Sequence, residues 1–109
     1  MTIKTKQSKH EKKFEKMAEE ATLDCYGEYE QFSGWSCTLE EKLPLPLKCL
    51  ILGEEAILTG IETDNNGTSV LGIVKREKWK IRVPIQDIEL KDTKAKHAEW
   101  IEAYRHWLG

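Results

Sequence analysis

The sequence predicts an α+β domain in which helices precede a small SH3-like antiparallel β-barrel and one more helix follows it. Three observations carry that reading. Apolar residues recur at helical spacing up to about residue 43, and at period two or in short runs from residue 47. Asn66-Gly67 lies between two of those runs, and the dipeptide suits a hairpin turn because both central positions need positive φ. Asp92 and Thr93 stand as candidate caps before a final amphipathic stretch. The 109 residues fit a single domain, long enough to bury one core without disulfides.

Residues 1–9 are polar and Lys-rich with no apolar period, so they read as a flexible tail. The helical part spans 10–43 in two pieces. Phe14, Met17, Ala18 and Ala21 share one face of the first. Gly27 interrupts, and the second runs from about Glu28 to Leu43 with Tyr29, Phe32, Trp35, Leu39 and Leu43 on a broad apolar face. Pro44 and Pro46 stop it, because the residue before proline is pushed out of the helical region.

The barrel is expected over 47–91. Its strands are Leu47–Leu52, Glu54–Thr63, Thr68–Glu77 and Lys78–Val83, closed by a short strand within Ile85–Leu90. A helix over 94–108 carries Trp100, Ile101, Tyr104, Trp107 and Leu108 onto the sheet. The expected core is Trp35, Leu39, Ile57, Ile61, Val70, Ile73, Trp79, Ile81, Trp100 and Tyr104.

Several function classes have no support. No stretch approaches the roughly 18–20 apolar residues that span a bilayer, and the basic N-terminus lacks the apolar run of a signal peptide. The expected location is therefore cytoplasmic. Cys25, Cys37 and Cys49 are an odd number and far from zinc-type pairing, which argues for reduced, mostly buried thiols. No nucleophile elbow, zinc-protease motif, P-loop or dinucleotide fingerprint is present, and His10, His97 and His106 are scattered, so the chain reads as non-enzymatic. Asp64-Asn65-Asn66-Gly67 fails as an EF-hand start, since Gly is fourth rather than sixth and no Glu follows at position twelve.

The net charge of −2 does not call for nucleic acid, but it is unevenly spread. The segment 21–42 sets Asp24, Glu28, Glu30, Glu40 and Glu41 against Lys42 alone. If the segment is helical, Asp24, Glu28 and Gln31 align at i, i+4 and i+7 beside the apolar face. Two readings stay open: a solvated acidic face, or carboxylates whose mutual repulsion a hard cation such as calcium would relieve.

The run Asp24-x-Tyr26-x-Glu28-x-Glu30-Gln31-x-x-Gly34-Trp35-x-x-x-Leu39-Glu40, followed by Leu43-Pro44-Leu45-Pro46-Leu47, resembles the cyanobacterial calcium-binding protein family typified by CcbP. Val83-Pro84-Ile85, the acidic stretch 87–92 and the Trp-containing last helix extend the resemblance over about residues 21–108. It implies calcium binding without an EF-hand, as a buffer or regulator of intracellular calcium. The matching acids are Asp24, Glu28, Glu30 and one of Glu40 or Glu41. The competing reading is a protein- or nucleic-acid-interaction module on the barrel, suggested by Lys75, Arg76, Lys78, Lys80 and Arg82 around Trp79. There, alternation would put 76, 78, 80 and 82 on a solvated outer face and Trp79 inward.

Overall fold

The computed structural model describes residues 9–109. The expected tail lies outside the described residues, apart from Lys9, which opens the first helix. Helix α1 is Lys9–Ala21 and helix α2 is Glu28–Lys42. Ala18 and Ala21 are buried, with Phe14 and Met17 packed against the core. Gly27 begins α2 in extended conformation, its carbonyl accepting from Gln31 N at 2.9 Å. The helix ends where Leu43 turns extended ahead of Pro44, its N–H still donating to Leu39 O. The two helices touch at Gly34, where a Cβ would stand 2.5 Å from the Ala21 carbonyl oxygen. Only glycine permits that approach.

Strands β1 (Leu47–Ile51), β2 (Glu54–Thr63), β3 (Val70–Arg76), β4 (Trp79–Pro84) and β5 (Glu89–Leu90) form one antiparallel sheet in the order β4-β3-β2-β1-β5. The sheet is open, which corrects the expected barrel: β4 and β5 are its two edges and do not pair. The physical reason is what fills the inner face. Trp35 and Leu39 of α2 lie there, fully buried with Leu58, Val70 and Val74. A closed barrel would have to fill that space with sheet residues alone.

The phase of the strands differs from the expected one in places. A bulge in β2 between Leu58 and Gly60 switches faces, so Ala56, Leu58 and Ile61 point inward while Ile57 points out. In β3 the inward residues are Val70, Gly72 and Val74, leaving Ile73 half-buried on the outer face. A Cβ on Gly72 would meet the Ile88 and Leu58 methyls at 2.4 and 2.8 Å, so the sheet is thinned there to admit them. Trp79 and Ile81, expected in the core, are 73% and 47% exposed. They do share a face with Val74, but β4 runs beyond the cover of the helices. Arg76 lies on the Trp79 side, Lys78 is in the turn, and Lys80 faces out with Lys75, so the expected four-residue cationic stripe is broken up.

The hairpin with two positive φ values is not at Asn66-Gly67 but at Leu52-Gly53, with φ of 50° and 82°. Residues 64–69 instead form a longer connection organised by Asp64. Its Oδ1 accepts from Thr68 N at 2.8 Å and Ser69 N at 3.2 Å. Gly67, at φ +68°, is also pressed against the Tyr29 ring, where a Cβ would come within 2.0 Å.

Asp92 Oδ1 accepts from Lys94 N and Ala95 N as a cap would, but the chain only turns there, and helix α3 begins later, at Ala98–Leu108. Tyr104 is its anchor. The buried ring meets Trp35 edge-on with centroids 5.3 Å apart, and its hydroxyl accepts from Val70 N at 3.2 Å. Arg105 ties the same helix to the short 3-10 turn Ile85–Asp87 and the residue after it, donating from Nε to Gln86 O at 3.0 Å and from Nη2 to Ile88 O at 2.6 Å. Trp100, expected in the core, is only half-buried, with the Lys42 ammonium 5.3 Å from its ring centre.

Two stability predictions follow from this packing. Tyr104→Phe should cost about 1–3 kcal/mol, because it leaves the buried Val70 N–H without an acceptor, and urea denaturation measures it. Leu52→Asn should raise the midpoint by up to about 1 kcal/mol, since an exposed leucine is held in the left-handed region that asparagine tolerates. A lowered midpoint would contradict the assigned turn.

Candidate metal centre

The acidic residues singled out in the sequence sit on three local structures. Asp24 is not helical. It follows the α1 terminus, where Thr22 Oγ1 donates to Ala18 O at 2.7 Å, and takes φ of 59°. Aspartate is among the few residues that enter this region readily. The expected alignment of Asp24 with Glu28 and Gln31 on a helix face is therefore not formed. Glu28 and Glu30 are in the first turn of α2, two residues apart, a spacing at which helical side chains diverge. Glu40 and Glu41 lie at the other end of the helix, about 15 Å along its axis from Glu30 at 1.5 Å per residue.

That distance separates Glu40 and Glu41 from Asp24, Glu28 and Glu30, whereas one ion shared by those three and one of Glu40 or Glu41 was the expected arrangement. All five are exposed. Among the described residues, no three His, Cys, Asp or Glu side chains form a group able to hold a metal ion. Glu41 stands 4.0 Å from the Lys42 ammonium, which also reaches Glu20 at 3.4 Å. Asp24, Glu28 and Glu30 make no ion pair with any described residue.

The electrostatics pick out a smaller set. Cys25 is half-buried, its Sγ 3.0 Å from where a Gly34 Cβ would be. Its thiol is pushed above the ordinary range, first by burial, then by the negative charges of Glu30 and Asp24, and last by Cys37. Asp24 and Glu30, from different elements, thus both bear on the Cys25 thiol at the α1–α2 junction. Sequence reasoning grouped Asp24 with Glu30 but weighed Asp24 on a helix face with Glu28 and Gln31, although the break it had itself placed at Gly27 separates Asp24 from α2.

These residues suit a hard cation in kind more than in number. Carboxylates with no competing cation are the right donors, but calcium takes six to eight oxygens. Two or three carboxylates leave the rest to carbonyls and water. The N-terminus of α2 opposes a cation with its own positive pole, and Glu28 and Glu30 already complement that pole without metal.

A family model described as calcium binding, that of CcbP, matches residues 15–108. The chain belongs to the CcbP calcium-binding family. Its fold is that of the crystal structure of Anabaena CcbP, with a TM-score of 0.75 and 18% identity over 99% of this chain and 95% of that one. A structure described as a calcium-binding protein in the calcium-binding form gives the same TM-score and identity over 94% and 95% of the two chains. No curated protein sequence matches the chain. The match agrees with the resemblance seen in the sequence and begins earlier, within α1. No helix among the described residues is long and apolar enough to cross a membrane.

The thiols report on this junction. Exposed Cys37 should alkylate readily and buried Cys49 only on unfolding. The pH midpoint for Cys25 should lie above the ordinary thiol value, and Asp24→Asn should lower it by removing one of the charges that raise it. An unmoved midpoint in that variant would show that the Asp24 carboxylate does not face the thiol.

Proposed function

We infer that this chain binds calcium at the α1–α2 junction, through Asp24 and Glu30 with Glu28 beside them, as a non-catalytic buffer or regulator in the cytoplasm. The observation that carries the reading is the match of residues 15–108 to a family model described as calcium binding. Asp24 and Glu30, neither in an ion pair with a described residue, support the junction as the place because both bear on the Cys25 thiol. A cation bound only to the folded state stabilises it, and does so increasingly as its concentration rises. Glu40 and Glu41 enter only as distant negative charge. An exposed site completed by water belongs with weak sites, on the order of 10⁻⁴–10⁻³ M.

The test is a melting-temperature series against calcium and magnesium after metal removal. Calcium should stabilise by RT ln(1 + [Ca²⁺]/Kd), roughly 2.7 kcal/mol at a hundredfold excess over Kd. Magnesium should do less, because it sheds water reluctantly and demands near-octahedral geometry. Asp24→Asn with Glu30→Gln should abolish most of the shift, whereas Glu40→Gln with Glu41→Gln should keep it. Asp64→Asn should lower the metal-free melting temperature, since Asp64 holds its own loop, yet leave the calcium shift intact. Loss of the shift only in the Glu40/Glu41 variant would move the site to the far end of α2. No shift at millimolar calcium in the unmutated protein would sink the reading.

A further inference from the structure

The open edge of the sheet has features that calcium binding does not use. Among the described residues strand β4 pairs only with β3, so there its other side presents unpaired backbone N–H and C=O groups. Its two faces differ sharply. On one, Trp79 and Ile81 are 73% and 47% exposed. On the other, Lys80 stands directly opposite Lys75, and Lys48 belongs to the same cross-sheet row, with only Ile57 between it and Lys75. Arg82 pairs with Glu62 and Arg76 with Glu54, but Lys75 and Lys80 are in no ion pair with described residues. Like charges directly opposite each other on a sheet are destabilising.

Charged residues on an edge strand ordinarily serve to discourage pairing. A strand kept free for that reason alone has no use for an exposed tryptophan and isoleucine on its other face. The alternation is instead what a strand-adding partner would read: backbone bonds along the edge, apolar side chains on one face and opposite charge on the other. A second copy of this chain is a poor occupant, because antiparallel pairing of two β4 strands would set Lys80 and Arg82 of each copy against those of the other.

We propose that β4 is a docking strand for an extended acidic peptide in which carboxylate and apolar residues alternate. The carboxylates would lie beside Lys80, with Lys75 on the next strand adding its charge from behind, and the apolar residues beside Trp79 and Ile81. The peptide would make β4 an interior strand, cover the exposed tryptophan and relieve the lysine pair. This site is at the opposite edge of the sheet from β5 and shares no residue with the proposed calcium site, so either can fail without the other.

The probe is a fluorescein-labelled peptide alternating Glu and Val over roughly the length of β4, followed by anisotropy. Binding should weaken as ionic strength rises. Lys75→Glu with Lys80→Glu should weaken it at least about tenfold, as expected for reversing two facing charges, and Trp79→Ser should weaken it without altering the melting temperature. Lys80→Gln alone should act in the same direction should the double variant fail to fold. A peptide of equal composition with the Glu and Val residues in separate blocks, and one N-methylated along the docking edge, should both bind more weakly. Equal binding of the blocked peptide, indifference to the Lys80 substitutions, or tighter binding of a single-stranded oligonucleotide would overturn the proposal. So would an unmutated protein that binds the alternating peptide no better than the Trp79→Ser variant does.

Discussion

The fold depends on the meeting of Trp35 and Tyr104 over the inner face of the sheet. Trp35 comes from the middle of α2 and Tyr104 from the middle of α3, and both are fully buried. Their edge-to-face contact is the favourable arrangement for two ring quadrupoles. The Tyr104 hydroxyl then reaches the Val70 amide at the start of β3. One cluster therefore joins both helices to the sheet, with Trp107 and Phe32 extending it to the margin. Because these rings occupy the space above the strands, the sheet has no reason to curl closed. An open edge at β4 is the consequence.

Much of this was legible in the sequence, and the failures share one cause. Helix existence followed from period and punctuation, and α1 and α2 break at Gly27 and Pro44 where the spacing put them; α3 starts later than its cap signal, and Tyr29, expected on the apolar face of α2, is 64% exposed. The strands were found, but which side of each is covered depends on the helices above, and period two cannot state that. Ile57 and Ile61 are four residues apart and would share a face of a regular strand; the bulge beside Gly60 separates them. Trp79 and Ile81 alternate as core residues do, yet they are left exposed at the edge of the sheet. The Asn-Gly signal failed for a related reason. Asp64 accepts two backbone amides and draws the connection into a larger loop, against which Tyr29 of α2 packs. Leu52-Gly53 makes the tight turn with a residue few would choose for it.

The acidic segment repeats this lesson at the level of charge. Counting carboxylates between residues 24 and 41 gave one block, whereas a helix converts sequence distance into axial length. Glu30 and Glu40 look like neighbours in composition and stand at opposite ends of α2. What lets Asp24 and Glu30 bear on one thiol is the break at residues 22–27, which separates Asp24 from the helix that carries Glu30. The close approach at Gly34 fixes the separation of the two arms: a larger residue would push α2 away from the Ala21 carbonyl and from Cys25.

The composition of that junction also limits what it can do. Glu28 and Glu30 project from a helix pinned by Trp35, so their positions are largely fixed before any ion arrives. Asp24 belongs to a short connection with a left-handed backbone, and Tyr26 beside it is 85% exposed. That connection is already hydrogen-bonded, with Cys25 N donating to Thr22 O at 3.0 Å. In the proposed site an ion bridging the two would therefore meet carboxylates carried by folded backbone on both sides. Most of calcium's six to eight oxygens would still have to come from carbonyls and water, and so few charged ligands would keep such a site weak.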